Sequence, residues 1–385
     1  MTVSQALRLH VQRSKRVASA TRLTPSQIER NIFLQSQERL IGKKQWMRTP
    51  EMEWSFLLTS MQSPTSELNT ASGPSGSLFS AESLRETLLI ENEGLSGETV
   101  VVSEPVSAVI EVASSTMEPE PLFESDLIYP KGMLFLDRAL MIPDLHPVTG
   151  QLDERLKLPV RAISWSIHKQ VKRADGTTGP GVVLIPYVDY QGRSDFSKLL
   201  LELSQEDDAF KTMAGDIDDL DAMAKHQELM PVDFLPWAFG APWQQVDEWA
   251  KKDAGVTGLI PSVSIIRLFF LSLMRFAWQE IVKERREAPD RPIRREAERQ
   301  FKRALDQGIC VLRLRKEIEY QDGGREGTPL SYRVVVRGHW RRQWYATLGP
   351  VEAPDSHRLI WIHPHIRGDV SLPLVEKPKV TVIAR

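Results

Sequence analysis

Three apolar runs rich in strand-forming residues follow one another between Leu127 and Tyr190: LIYPKGMLFLDRALMI, LPVRAISWSIH and GVVLIPYVDY. Turn-forming residues separate them, and in the second run Val160, Ala162, Ser164, Ser166 and His168 alternate with Arg161, Ile163, Trp165 and Ile167. That period of two predicts an antiparallel sheet. Helical spacing brackets the three runs. Upstream, LTPSQIERNIFLQSQERLIG offers Thr24 as N-cap, Pro25 in the first turn, Ile28, Ile32, Leu40 and Ile41 as an apolar stripe, and Gly42 as a stop. Downstream, SDFSKLLLELSQEDDAF carries Phe196, Leu199, Leu200 and Leu203 behind Ser194.

A chain of 385 residues is long enough for two or three domains. With 41% hydrophobic and 26% charged residues it must form at least one sizeable core. The fold class expected is α+β: small antiparallel sheets combined with a helical middle region, behind a variable, partly disordered N-terminal region. Residues 1–60 read as an N-terminal helical segment that starts with a basic amphipathic helix or arm. Residues 61–121, rich in Ser, Thr, Glu, Pro and Gly, read as a low-complexity linker in which ETVVVSEPVSAVIEVAS supplies at most one or two strands. Residues 122–288 read as an α+β domain with a helical core, and 289–385 as a basic helix plus a β-rich C-terminal module.

Several function classes are excluded or disfavoured at this level. One cysteine, Cys310 in the apolar run ICVLRL, precludes an internal disulfide and Cys-rich zinc sites, including zinc fingers. The glycine patterns of P-loop and Rossmann proteins and the HExxH helix are absent. Asp216, Asp218 and Asp219 lack the register of an EF-hand loop. No secretory signal is expected from the charged N-terminus. The longest apolar block, LIPSVSIIRLFFLSLMRFAW, holds Arg267 and Arg275, so it reads as a buried core helix and not a membrane span. Helix is expected to continue from it through QEIVKERRE. No cofactor and no resident metal are expected, and the site of action is expected to be cytoplasmic.

Net charge is −2, yet residues 271–385 hold 23 Lys and Arg against 15 Asp and Glu, leaving 26 against 36 for residues 1–270. Such asymmetry suits a polyanion-binding half, attraction between the halves, or a charged solvated helix in the basic half. In IRREAERQFKRALDQG and the preceding turn, Arg291, Arg294, Arg295, Arg299, Lys302 and Arg303 recur at helical intervals and form a cationic side. These residues, with Arg342 and Trp344, are the candidate contacts to RNA or DNA. Trp237, Trp243 and Trp249, inside the aromatic segment 234–249, mark core, a groove for a protein partner or a base-stacking platform.

Four of the eight histidines, His339, His357, His363 and His365, crowd near the C-terminus among arginines and tryptophans. CVLRLRKEIEY and SYRVVVRGHW flank a turn-rich QDGGREGTP, and HRLIWIHPHI and KPKVTVIAR follow as further strands. Pairing of the second and third strands would bring His339 towards His363. Three chemistries remain open there. His339 or His363 can act as general acid or base in metal-free phosphodiester cleavage, with Arg337, Arg341 or Arg367 stabilising the transition state. His363 and His365, with His339, His357 or Asp369, can hold a metal, a weaker pattern. Trp340, Trp344, Tyr345 and Trp361 can stack on bases without any cleavage. The plainer alternative is a strand end whose tryptophans pack the core and whose arginines pair with carboxylates.

The segments YPKGMLFLDRALMI, VRAISW and REAPDRPIRREAER, and above all RVVVRGHWRRQWY with HRLIWIHPHIRGD and KVTVIAR, resemble a family of largely uncharacterised bacterial proteins frequent in actinobacterial genomes, phages and plasmids. The likeness spans about Leu122 to Arg385 and is most specific in the C-terminal module of Arg-Gly-His-Trp-Arg type. It implies a mobile-element or phage-related setting and a cytoplasmic site of action. It implies no activity, so no catalytic role is carried over. The expectation is a nucleic-acid-associated accessory protein, with an RNase-like toxin or nuclease and a purely structural or protein-interaction module as alternatives.

Overall fold

A computed structural model describes residues 1–40, 50, 81–117, 120–145, 152–172, 177–189, 229–242, 261–279, 282–314, 333–336, 338–353, 356–362, 365–367 and 374–375. The fold is α+β. Six helices accompany a mixed eight-stranded sheet and two small sheets among the described residues.

The three apolar runs form the predicted antiparallel meander: β2 (Lys131–Leu145), β3 (Leu152–Lys172) and β4 (Thr178–Asp189). The meander is one side of a larger sheet. On its β4 side, β5 (Leu229–Pro231) and β6 (Leu235–Ala238) pair antiparallel with β4. On its β2 side lie β1 (Glu98–Val102), then β8 (Ile309–Leu314), then β7 (Val282–Glu287). β1 is parallel to both of its neighbours, so the sheet is mixed where the expectation was antiparallel throughout.

Two segments depart from the sequence reading. Part of the expected linker is instead an ordered helix–strand–helix unit: α3 (Ala81–Leu95), β1, and α4 (Glu104–Ser114). Glu82, Arg85, Glu86, Glu93 and Glu104 are exposed, and these charges disguise the apolar pattern in the average composition. Val100 and Val102 point to one side of the sheet and Val101 to the other, and all three are buried. In α4 the residues that reach the core, Val106, Ile110 and Ala113, are spaced four and three apart, so the helical period overrides their β-branched character. The second departure is VKERRE, expected as helix and found as the edge strand β7. Only Val282 of this strand is buried, and the rest is charged, which suits an exposed sheet edge.

Helices cover both faces. α5 (Pro261–Ala277), the expected core helix, packs with α4 on one face around Phe269, Phe270, Phe276, Trp165 and Trp237. α1 (Val3–Ala20), α2 (Pro25–Leu40), α3 and α6 (Arg291–Phe301) enclose the other around Leu7, Leu88, Phe135, Tyr187 and Val311. Trp237 is fully buried, so this member of the aromatic segment is core; Trp243 and Trp249 lie outside the described residues. Cys310 is buried, as expected. No helix among the described residues is long and apolar enough to cross a membrane.

The C-terminal module is β-rich as expected but forms two separate sheets. β10 (His339–Trp344) and β11 (His357–Ile362) make an antiparallel ribbon. β9 (Arg333–Val336) lies between β12 (His365–Arg367) and β13 (Leu374–Val375). The first expected strand is β8, which joins the main sheet; its hairpin loop and the final strand KPKVTVIAR lie outside the described residues.

Candidate nucleic-acid interface

Helix α6 is defined by its apolar and charged periods. Asp290 stands at its N-cap, proline follows in the first turn, and Lys302 closes it in the left-handed region at φ 53°. Ile293 and Ala297 are the buried residues, one turn apart. The basic residues on the opposite side, Arg291, Arg295, Arg299 and Lys302, are all exposed. Arg291, Arg295 and Arg299, four residues apart, share one side of the helix surface, and Lys302 follows at the C-cap.

α1 lies beside α6 and runs in the same direction. The Asp290 amide donates to Ser4 Oγ at 2.9 Å, Lys15 pairs with Glu296, and Gln300 Nε2 donates to Ser14 Oγ at 3.0 Å. α1 contains Arg8, Arg13, Lys15 and Arg16 and not one carboxylate. Arg8 and Lys15 are exposed on the side flanking α6, and Arg13 points into the core. Sequence reasoning found the basic character of both helices but not their juxtaposition; the readable signal was an eighteen-residue amphipathic helix without an acid.

Three of the cations expected to contact nucleic acid are ion-paired within the chain, Arg294 and Arg303 here and Arg342 on the β10–β11 ribbon. Arg303 pairs with Glu98 and donates to the Gly97 carbonyl at 2.8 Å, fixing the end of α6 to the start of β1. Arg294 lies 3.8 Å from Glu298 one turn on. Burial lowers the pKa of the half-buried Arg303 guanidinium from its usual value.

Beneath α1 the core carries charge. Arg13 Nε donates to Glu91 Oε1 at 2.7 Å, Tyr187 Oη donates to Glu91 Oε1 at 3.0 Å, and Ser164 Oγ lies 3.0 Å from Tyr187 Oη. Burial raises the Tyr187 hydroxyl well above the usual tyrosine value, so it stays a donor. His10 bridges Thr99 Oγ1 and the Leu95 carbonyl, each at 2.8 Å, and burial lowers its pKa to about 3. It is a neutral ring that joins α1, α3 and β1.

The β10–β11 ribbon sits on the other face of the sheet. Its register pairs His339 with Ile362, Trp340 with Trp361, Arg342 with Leu359, and Trp344 with His357. Trp340 and Trp361 meet edge to face with centroids 5.4 Å apart, and Phe276 of α5 stands perpendicular to Trp340 at 5.6 Å. Trp340 Nε1 donates to the Ala113 carbonyl of α4 at 2.8 Å, and Gln279 Oε1 accepts from the Trp361 amide at 3.1 Å. These two tryptophans hold the ribbon to the body, as the plainer reading expected.

Of the five residues considered for phosphodiester chemistry, His339 and Arg341 are exposed and share the face of β10 directed away from Trp340. Arg341 Nη2 donates to Gln343 Oε1 at 2.8 Å. Arg367 belongs to β12 in the neighbouring small sheet, while Arg337 and His363 lie outside the described residues. Arg342 pairs with Glu120, which also lies 3.8 Å from Arg275 of α5. Trp344 is exposed. Among the described residues no group of three His, Cys, Asp or Glu comes together that could hold a metal ion. No family model matches the chain, and no curated protein matches it.

Proposed function

We propose that this chain is a cytoplasmic, nucleic-acid-associated accessory protein of a mobile element or phage-related locus. It holds RNA or DNA by the phosphate backbone along the shared face of α1 and α6. One observation carries the reading: Arg291, Arg295 and Arg299, with Lys302 at the C-cap, are exposed beside a parallel helix that adds Arg8 and has no carboxylate of its own, Lys15 being held by Glu296. At 1.5 Å per residue, Arg291 to Arg299 spans about 12 Å, the length over which one strand of a duplex presents several phosphates. Guanidinium forks suit those oxygens. The contacts supported are to backbone, which position a protein on nucleic acid without reading its sequence.

The test is the salt dependence of binding to a labelled duplex, followed by fluorescence anisotropy. Each neutralised phosphate adds roughly 0.9 to the slope of log affinity against log salt. Replacing Arg291, Arg295 and Arg299 together by Gln is therefore expected to lower that slope by about 3 and weaken binding on every sequence alike. An unchanged slope in the triple variant would remove this face from the interface.

A further inference from the structure

The β10–β11 ribbon is fastened at one end and bare at the other. Trp340 and Trp361 fasten its base to α4 and α5, and Trp361 is only 5% exposed. At the far end Trp344, Tyr345, Leu348 and Val351 are 41%, 39%, 41% and 51% exposed. Four large apolar side chains thus stand partly in water within eight residues, a concentration that marks an interaction site.

The tip is built, not loose. Trp344 Nε1 donates to the Gly349 carbonyl at 3.0 Å, the Tyr345 amide donates to the Ser356 carbonyl at 2.9 Å, and a 3-10 turn over Ala346–Leu348 joins the two. A ring pinned by its own N–H keeps its face in place, so little conformational entropy is lost when something lies on it. Charge narrows what that is. Arg342, two residues from Trp344 on the same face, is exposed although it holds Glu120; Arg341 is exposed on the other face, and Arg358 stands opposite Gln343. Among the described residues of 339–353 and 356–362 the one acid is Glu352.

We propose that the ribbon tip is a stacking platform for single-stranded nucleic acid. Unpaired bases lie on the Trp344 and Tyr345 rings, Leu348 and Val351 extend the apolar surface, and Arg341 meets the phosphates while Arg342 stays with Glu120. A duplex keeps its bases stacked on each other and offers the rings nothing, whereas a single strand offers a π-face at every nucleotide. This inference rests on the reading of the chain as nucleic-acid-associated and narrows it. The helical face and the ribbon lie on opposite sides of the main sheet, so one molecule engages duplex backbone and single strand separately.

The experiment uses the full chain with a short oligothymidine and, separately, a mixed-sequence duplex of the same length, read by anisotropy and by quenching of tryptophan fluorescence. Trp344→Ala with Tyr345→Ala is expected to lose roughly tenfold or more in affinity for the oligothymidine and none for the duplex. Trp344→Phe is expected to keep most of the single-strand affinity, and melting followed by circular dichroism to be unchanged in both. The triple α6 variant is expected to lose duplex binding and keep quenching by oligothymidine. If the ring variant binds oligothymidine as the parent does, or loses single strand and duplex equally, the ribbon proposal is overturned while the helical face stands. If light scattering shows that the ring variant instead abolishes self-association, the tip is a protein contact and the proposal falls. If the parent binds neither nucleic acid, both readings fall.

Discussion

His10 shows how one buried residue decides a property of the whole chain. Its ring sits between Thr99 and the Leu95 carbonyl, tilted against Phe301 with centroids 4.7 Å apart, and is excluded from water. Burial, the main cause, lowers its pKa to about 3; the Leu95 hydrogen bond opposes the shift and the Arg303 charge adds to it. In the unfolded chain the ring titrates near 6.5, so the unfolded state binds the extra proton first as pH falls. The stability due to a neutral His10 is therefore complete above about pH 6.5 and lost progressively towards pH 3. One unit of displacement corresponds to about 1.4 kcal/mol, so by pH 5 the loss approaches ~2 kcal/mol. Urea midpoints measured from pH 8 to pH 5 are expected to fall, and His10→Gln is expected to flatten that fall; a midpoint equally steep in the variant would exclude His10 as its source. The same scale holds the Arg13–Glu91 pair, whose side chains are both fully buried and hydrogen-bonded. Removal of one partner strands a charge, which is why such pairs fix geometry more than they add stability.

At the scale of elements, the turn between α6 and β8 is a tight joint beside the cationic face. Gly308 lies at φ 76°, and a Cβ there would stand 2.6 Å from the Glu287 carbonyl of β7. Left-handed backbone costs a residue with a Cβ about 1–3 kcal/mol before any clash. Gly308→Ala is expected to lower the melting temperature by several degrees; a variant as stable as the parent would show that β7 yields easily. The elements also show what patterns can be read. The meander β2–β3–β4 was visible because each strand has long apolar alternation, and α5 because it is apolar almost all round. β7 was not, because an edge strand with one buried residue has no face to display. α4 was misread because valine and isoleucine speak for strand while their spacing speaks for helix.

In the whole molecule, β1 is the piece on which the rest is assembled. It lies between β2 and β8, whose residues flanking Val100, Leu134 and Cys310, are 176 positions apart in sequence, and it comes from a stretch whose composition resembles a linker. Amides of Val100–Val102 are expected to exchange with solvent as slowly as any in the protein, at the limit set by global unfolding. Hydrogen exchange read by mass spectrometry on a peptide covering 98–102 checks this; exchange at the rate of an open coil would contradict the central position of the strand. By itself the sequence determined what depends on neighbours along the chain: the mixture of helix and strand, the meander, the core helix, the basic stripe of α6 and the arginine- and tryptophan-rich ribbon. Tertiary structure alone decided what depends on distant partners. It set α1 beside α6 and turned a basic stripe into a two-helix face, tied Arg303 to Glu98 and Arg342 to Glu120, and divided the tryptophans between the core and the ribbon tip. The physical reason is common to all of these. Periodicity tells which face of an element is apolar, but exposure and ion pairing belong to pairs of elements, and pairs are chosen only when the sheet closes around its core.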